Sequence, residues 1–395
     1  MKKRTISILQ LFSLVFSFSF FVSTSSAQDS SHLRISLLTC SPGDELYSSF
    51  GHSAVRIVDS SQAFNDGWRD VVYNYGTFDF EDPDFYTKFI KGKLLYFVSA
   101  QDFEGTNGFR ANYMAEKRGI TEQVLNLTGA EKITIQNFLN NNLKDENKYY
   151  KYDFFFDNCT TRLKDILKKN HDSSFTAKAV MPVGTTFRQA IYQYLDKKDK
   201  QWSKLGIDIL LGVHCDRIMT TEQMEFLPDN LMKSLDSANH SFVLSTQELI
   251  PINNNDQQRS LFTPLVIFSL LLVGVALTSL LKNKAAQKAL VVFDGLLFFV
   301  TGLLGILLLF MWYGTDHSMT KSNFNLLWAW PTHILVAFFV NSNKSLVKKY
   351  FAFTSVSMVA VLFAWFFLRQ HLNVSLIPIA LLLIYRSATK VFFEK

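Results

Sequence analysis

The sequence predicts two architectures in one chain: an α+β domain followed by an all-α helical transmembrane domain. Three observations carry this reading. Basic residues open the chain ahead of an apolar run; charge, aromatics and turn residues mix up to about Leu261; beyond it come long apolar segments separated by short polar loops. We divide the 395 residues into a signal peptide over 1–27, an exported domain over 28–258 and a transmembrane domain over 259–395.

The opening MKKRT is basic, Ile6 to Val22 is apolar, and Ser25-Ser26-Ala27 supplies small residues for cleavage, so the mature chain is expected to begin near Gln28. A retained N-terminal anchor is the other reading, and it exports the next domain equally. The net charge of +6 lies largely in this segment and in loops beside apolar runs, where positive charge sets topology, so no nucleic-acid partner is expected. Three cysteines allow at most one internal disulfide. Cys40 with Cys215 would leave Cys159 free; both could equally be buried thiols.

In the first domain, LRISLLTC up to Cys40 reads as a strand and Ser41-Pro42-Gly43-Asp44 as a turn. In ELYSSFGHSAVRIV, Glu45 to Val58, the tail alternates His52, Ala54, Arg56 and Val58 against Ser53, Val55 and Ile57, as in a half-exposed sheet. His52 would begin that strand just past Gly51. Val71 to Gly76 and Lys93 to Ala100 are further strands. Thr128 with Glu131 forms a capping box for a helix reaching Asn142. Tyr149 to Phe156 reads as extended and leads to Asp157-Asn158-Cys159-Thr160-Thr161.

After Cys159 the spacing of Leu163, Ile166 and Leu167 is helical, with Asp157 or Asn158 as N-cap. Cys159 then stands in the first helical turn, where unpaired N–H groups and the helix dipole favour a thiolate. A nearby imidazole would lower its pKa further and move protons. On spacing alone, Cys159 also reads as a packed apolar residue and His52 as a surface histidine. His171 and His240 are less well placed as partners. Cysteines and histidines lack the close spacing of a metal site, and no cofactor is expected.

In the second half, spans are expected over Leu261–Leu281, Leu290–Trp312, Leu326–Val340, Tyr350–Leu368 and Leu372–Tyr385. Lysine-rich loops (Lys282, Lys284, Lys288; Lys344, Lys348, Lys349) alternate with loops poor in lysine, giving five spans and a cytoplasmic C-terminus. Asp294 inside the second span is explained by snorkelling, by a neighbouring helix or by a specific role. The outer loop from Asp316-His317-Ser318 to Trp328-Ala329-Trp330-Pro331 frames a lipid site or is an aromatic belt beside a solvated turn.

The segments LLTCSPG (37–43), FGHSA (50–54), YNYGTF (73–78) and DFFFDNCTT (153–161) together resemble the Lnb N-terminal periplasmic domain of Bacteroidota. The resemblance continues through Leu211-Gly212, Asp216-Arg217 and Glu225-Phe226-Leu227-Pro228 to Asn325-Leu326-Leu327-Trp328. It implies a lipoprotein N-acyltransferase, which moves an acyl chain from a glycerophospholipid to the α-amino group of a lipidated N-terminal cysteine, from a multi-pass site in the inner membrane. The first domain is also similar to the permuted papain-like fold of lecithin:retinol acyltransferases, in which an early histidine precedes an Asn-Cys element opening a helix. His52 and Asn158-Cys159 occupy those places.

The catalytic candidates are therefore Cys159 as nucleophile and His52 as base. Asn74, rather than Tyr75 or Asp79, is the candidate for orienting the imidazole. Asn158, Tyr75, His317 and Trp328 are candidates for substrate binding. Partners are a glycerophospholipid donor, a lipidated lipoprotein acceptor and the membrane. A papain-like cell-wall peptidase, a phospholipase and a non-enzymatic membrane scaffold are the competing functions.

Overall fold

The computed structural model describes residues 31–64, 67–170, 178–238, 242–252 and 260–392. The expected signal peptide, the domain boundary at 258, His171 and His240 lie outside these residues.

Among the described residues, seven strands form one antiparallel sheet in the order β6-β4-β3-β2-β1-β5-β7. They are β1 Leu33–Cys40, β2 His52–Phe64, β3 Gly67–Thr77, β4 Leu95–Asp102, β5 Ile120–Leu125, β6 Tyr149–Lys151 and β7 Val243–Ile250. The register pairs Cys40 with His52 and Val55 with Tyr73. β2 begins at His52, as the alternation predicts, but it is not half-exposed. Ser53 through Val58 are all buried, because β2 is central and helices cover both faces.

One face packs Leu37, Val55, Ile57, Tyr73 and Tyr75 against α3 (Gly129–Asn142), α4 (Cys159–Lys169) and α7 (Pro228–Ser237). The other packs Leu38, Cys40, Ala54 and Val72 against Phe109 and Tyr113 of α2 (Phe109–Ala115). Arg56 points to that face and is neutralised by Asp70 at 2.6 Å and Glu122 at 3.2 Å. A buried ion needs such partners. The remaining helices of this domain are α1 (Phe85–Lys91), α5 (Phe187–Lys197) and α6 (Gln201–Leu210). Tyr149 to Phe156 is extended only as far as Lys151 and then turns, with Asp153 Oδ1 accepting from the N–H groups of Phe155 and Phe156.

Among the described residues, three helical segments are long and apolar enough to cross a membrane: α9 (Lys284–Tyr313), α10 (Ser345–Ala364) and Val374–Phe392, which contains α11 (Ile377–Phe392). α8 (Pro264–Leu280) is apolar but shorter. The stretch expected as a third span, 326–340, is not one helix. It consists of a 3-10 turn at Phe324–Leu327, a helical turn at His333–Val336 and a further 3-10 turn at Ala337–Phe339. Pro331 forbids a continuous helix. The irregular backbone is sheltered by α9, where a Cβ on Gly302 would collide with Ile334 N and one on Gly305 with Ala329 O. Non-helical backbone is tolerated at membrane depth when protein buries it in this way.

The last span also runs past Tyr385. Arg386 and Lys390, beyond the expected end of that span, turn inward to Asp294 at 2.6 and 3.0 Å. This is the neighbouring-helix explanation of Asp294.

The two halves are joined by polar and apolar contacts. Asn325, Gln370 and Asn373 donate to Asp208 O, Leu211 O and Asp208 Oδ2, respectively, at the end of α6. Arg188 of α5 is buried between Asp208 and Asp216. Gly212 N donates to Met319 O of the outer loop, and Met319 enters the core formed by Phe155, Phe187 and Phe226.

Candidate active site

Cys159 is the first residue of α4. The helix starts there because Asn158, in extended conformation, accepts the N–H groups of Thr160 and Thr161 on its side-chain oxygen, each at 2.8 Å, while Thr161 Oγ1 accepts from Asn158 N. The Asn158 amide donates to Phe154 O and Phe226 O. Asn158, expected to bind substrate, is therefore 4% exposed and engaged entirely in building the turn. Its Cys neighbour remains half-buried and reachable.

The sheet supplies the partner. Gly51 (φ +79°) swings the chain into β2, and a Cβ there would lie 2.6 Å from Cys40 O, so only glycine fits before His52. Continuing the β2–β3 register from Val55 and Tyr73 sets Asn74 across from Ala54, on the same face as His52. His52 Nε2 lies 3.2 Å from Asn74 Oδ1. An amide oxygen only accepts, so Nε2 carries the proton and Nδ1 is the basic nitrogen of the neutral ring.

Burial opposes the thiolate of Cys159, but the charge of His52, its hydrogen bond, the Ser53 N–H and the Thr160 hydroxyl outweigh it and lower the thiol from 9.0 to about 7. For His52, burial and the Arg118 guanidinium lower the pKa, whereas Cys159 and Asn74 raise it, with a net upward shift. The two shifts favour a thiolate–imidazolium pair. Behind the sulfur, Thr160 Oγ1 is 3.1 Å from Ser53 Oγ and locks α4 to β2. Cys40 and Cys215 behave differently. Both are free, buried thiols pushed up to about 12 by burial, and no bridge joins them.

His52, Asn74 and Cys159 open into a cavity of about 1070 Å³. One part of its wall is aromatic, with Phe78, Phe80, Phe85, Phe89 and Tyr96; the loop residues His317 and Met319 form another. The loop is docked by Lys151–Asp316 at 2.7 Å, by Ser318 Oγ donating to Asp153 Oδ2 at 2.7 Å, and by His317 Nε2 donating to Phe89 O and Ile90 O. Asp153 thus ties the loop to the turn that delivers Cys159.

His317 lines the cavity as a wall residue whose ring nitrogen is bound to backbone. Tyr75 also lines it, but its hydroxyl turns back to accept from Asn142, and Asp79 is exposed and bound to Glu81 N. Trp328, expected at the substrate, is 2% exposed in the membrane-helix core, where its N–H donates to Asn325; it does not line the cavity. Tyr152 and Asp153 were not among the sequence candidates. Only the fold places them beside the sulfur and the loop.

These features define a membrane protein in which an α+β domain carries a cysteine–histidine–asparagine site facing a cavity closed by the outer loop of its helical region. Residues 21–193 match the Lnb N-terminal periplasmic domain, and residues 256–395 match the Lnb transmembrane domain. The chain belongs to the Lnb family, with its N-terminal domain in the periplasm. No curated protein and no solved structure matches the chain.

Proposed function

We propose that the protein is a lipoprotein N-acyltransferase of the inner membrane, acting through a Cys159 thioester. The observation that carries this reading is the position of the sulfur. Cys159 faces an aromatic-walled cavity whose rim is the loop leaving the outer end of α9. A donor and an acceptor that both carry acyl chains remain in the bilayer, and a thiol tied to the spanning helices meets them there.

In the first half-reaction His52 Nδ1 takes the Cys159 proton and the thiolate attacks a glycerophospholipid ester carbonyl. The C–O bond breaks as His52 returns the proton to the leaving alkoxide, giving a thioester and a lysophospholipid. In the second, the α-amine of a lipidated lipoprotein attacks the thioester. The C–S bond breaks, His52 takes the amine proton, and an amide is left with the thiolate–imidazolium pair restored.

The Thr160 and Thr161 N–H groups are occupied by Asn158. The Cys159 N–H, at a helix position without an intrahelical acceptor, is the donor assigned to the oxyanion. Five spans with a cytoplasmic C-terminus, and a cleaved leader over 1–27, complete the proposed topology. A histidine strand preceding an Asn-Cys helix on an antiparallel sheet supports the permuted papain-like reading. The aromatic wall gives a peptide backbone few polar partners and so favours acyl transfer over cell-wall hydrolysis.

Mass spectrometry of lipoprotein N-termini from cells lacking the protein tests the reading. Wild type should restore the N-acyl group and Cys159→Ala should not. An N-acyl group restored by both excludes the thioester route, and release of free fatty acid without N-acylation would make the protein a phospholipase.

A further inference from the structure

Aromatic rings follow one another from the surface to Tyr152, beside Cys159. Phe89 and Phe80 are 50% and 65% exposed. Phe89 stacks 6.0 Å from Phe85, and Phe80 lies 5.1 Å from it. Phe85 is 5.9 Å from Phe78, Phe78 is 5.2 Å from Tyr96, and Tyr96 stacks 4.3 Å from Tyr152. The row ends beside Cys159: Tyr152 and the Cβ of Cys159 flank Gly76, each 3.7 Å from where a Cβ on that glycine would stand. Gly76, with φ +90°, leaves that approach open.

The exposed end of the row lies beside the end of a candidate span. α9 ends at Tyr313, and three residues later Asp316 N donates to Lys91 O while His317 holds Phe89 O and Ile90 O. The C-terminus of α1 is thereby pinned to the outer end of a span. Tyr86 and Ile90 are also exposed on α1, and Lys93 is close enough to Asp316 to help lower its carboxyl pKa. Apolar rings beside a lysine match the boundary between acyl chains and phosphates.

We propose that α1 rests on the outer leaflet and that the row Phe89, Phe85, Phe78, Tyr96, Tyr152 is the path by which one fatty-acyl chain of a membrane phospholipid reaches Cys159. The path rests on the thioester reading for its purpose, but its occupancy is independently observable. Rings without polar partners fit a saturated chain, which needs none, and disfavour a peptide, which does.

The test uses full-length Cys159→Ala protein in phospholipid vesicles containing a phosphatidylethanolamine with a mid-chain diazirine, irradiated and mapped by peptide mass spectrometry. Adducts are expected on 78–96 and 149–152. Phe80→Ser with Phe89→Ser, both at exposed positions, should reduce them about tenfold while leaving adducts on α8 to α11. Labels confined to the spanning helices, or unchanged by the double substitution, would overturn the path. Wild-type protein in the same vesicles separates the two readings. Labelling of the row without an acyl-enzyme keeps the path and removes the thiol mechanism; an acyl-enzyme without labelling of the row removes the path.

Discussion

Asn74 Oδ1 accepts the Nε2 proton of His52 at 3.2 Å across two neighbouring strands, and this one contact fixes which ring nitrogen is the base. Asn74→Ala is expected to lower acyl transfer about tenfold, the value of one hydrogen bond expressed in a rate, without changing donor affinity. Kinetics in vesicles check this. An unchanged rate would remove Asn74 from the site.

The thiolate of Cys159 depends on His52. With the thiol lowered to about 7, the thiolate is present above that pH, so alkylation by iodoacetamide should be half-maximal near pH 7. In His52→Ala the contribution of the imidazole is gone, while burial still opposes the thiolate and the Ser53 N–H and Thr160 hydroxyl still favour it. The midpoint should then move upward from pH 7, which a pH series of alkylation rates measures.

The Asn158 side chain is fully hydrogen-bonded within the protein, so its replacement is expected to show in stability. Asn158→Ala removes a helix cap and two buried amide hydrogen bonds, and should destabilise the periplasmic domain by about 2–4 kcal/mol. Thermal unfolding of the purified protein tests it. Normal stability with weakened lipid binding would return Asn158 to the substrate.

Much of this site is legible in the sequence because its determinants are local. Gly51 before an alternating run sets His52 at a strand start, and Asn158 before a helical spacing sets Cys159 in the first turn. What is not legible depends on distant pairing. The cover on both faces of β2 comes from α2, α3, α4 and α7, and β7 closes the sheet edge from residues far along the chain. Trp328 shows the limit of composition. A tryptophan near an expected interface reads as a lipid contact, yet Pro331 breaks the helix and folds it into the core.

The outer loop should influence chemistry through Asp153. Ser318→Ala removes one hydrogen bond and is expected to slow transfer about threefold. Asp153→Ala also frees the N–H groups of Phe155 and Phe156 and should slow it further. In a double-mutant cycle the two effects should not add. Additivity would mean that the loop and the turn act separately.

The most direct measurement is the intact mass of the purified full-length protein after incubation with phospholipid vesicles and no acceptor. The account expects one added acyl chain, released by neutral hydroxylamine, mapped to Cys159 and absent from Cys159→Ala and greatly reduced in His52→Ala. Wild-type protein that transfers acyl chains to lipoprotein while never carrying one, or that carries it on another residue, would contradict it.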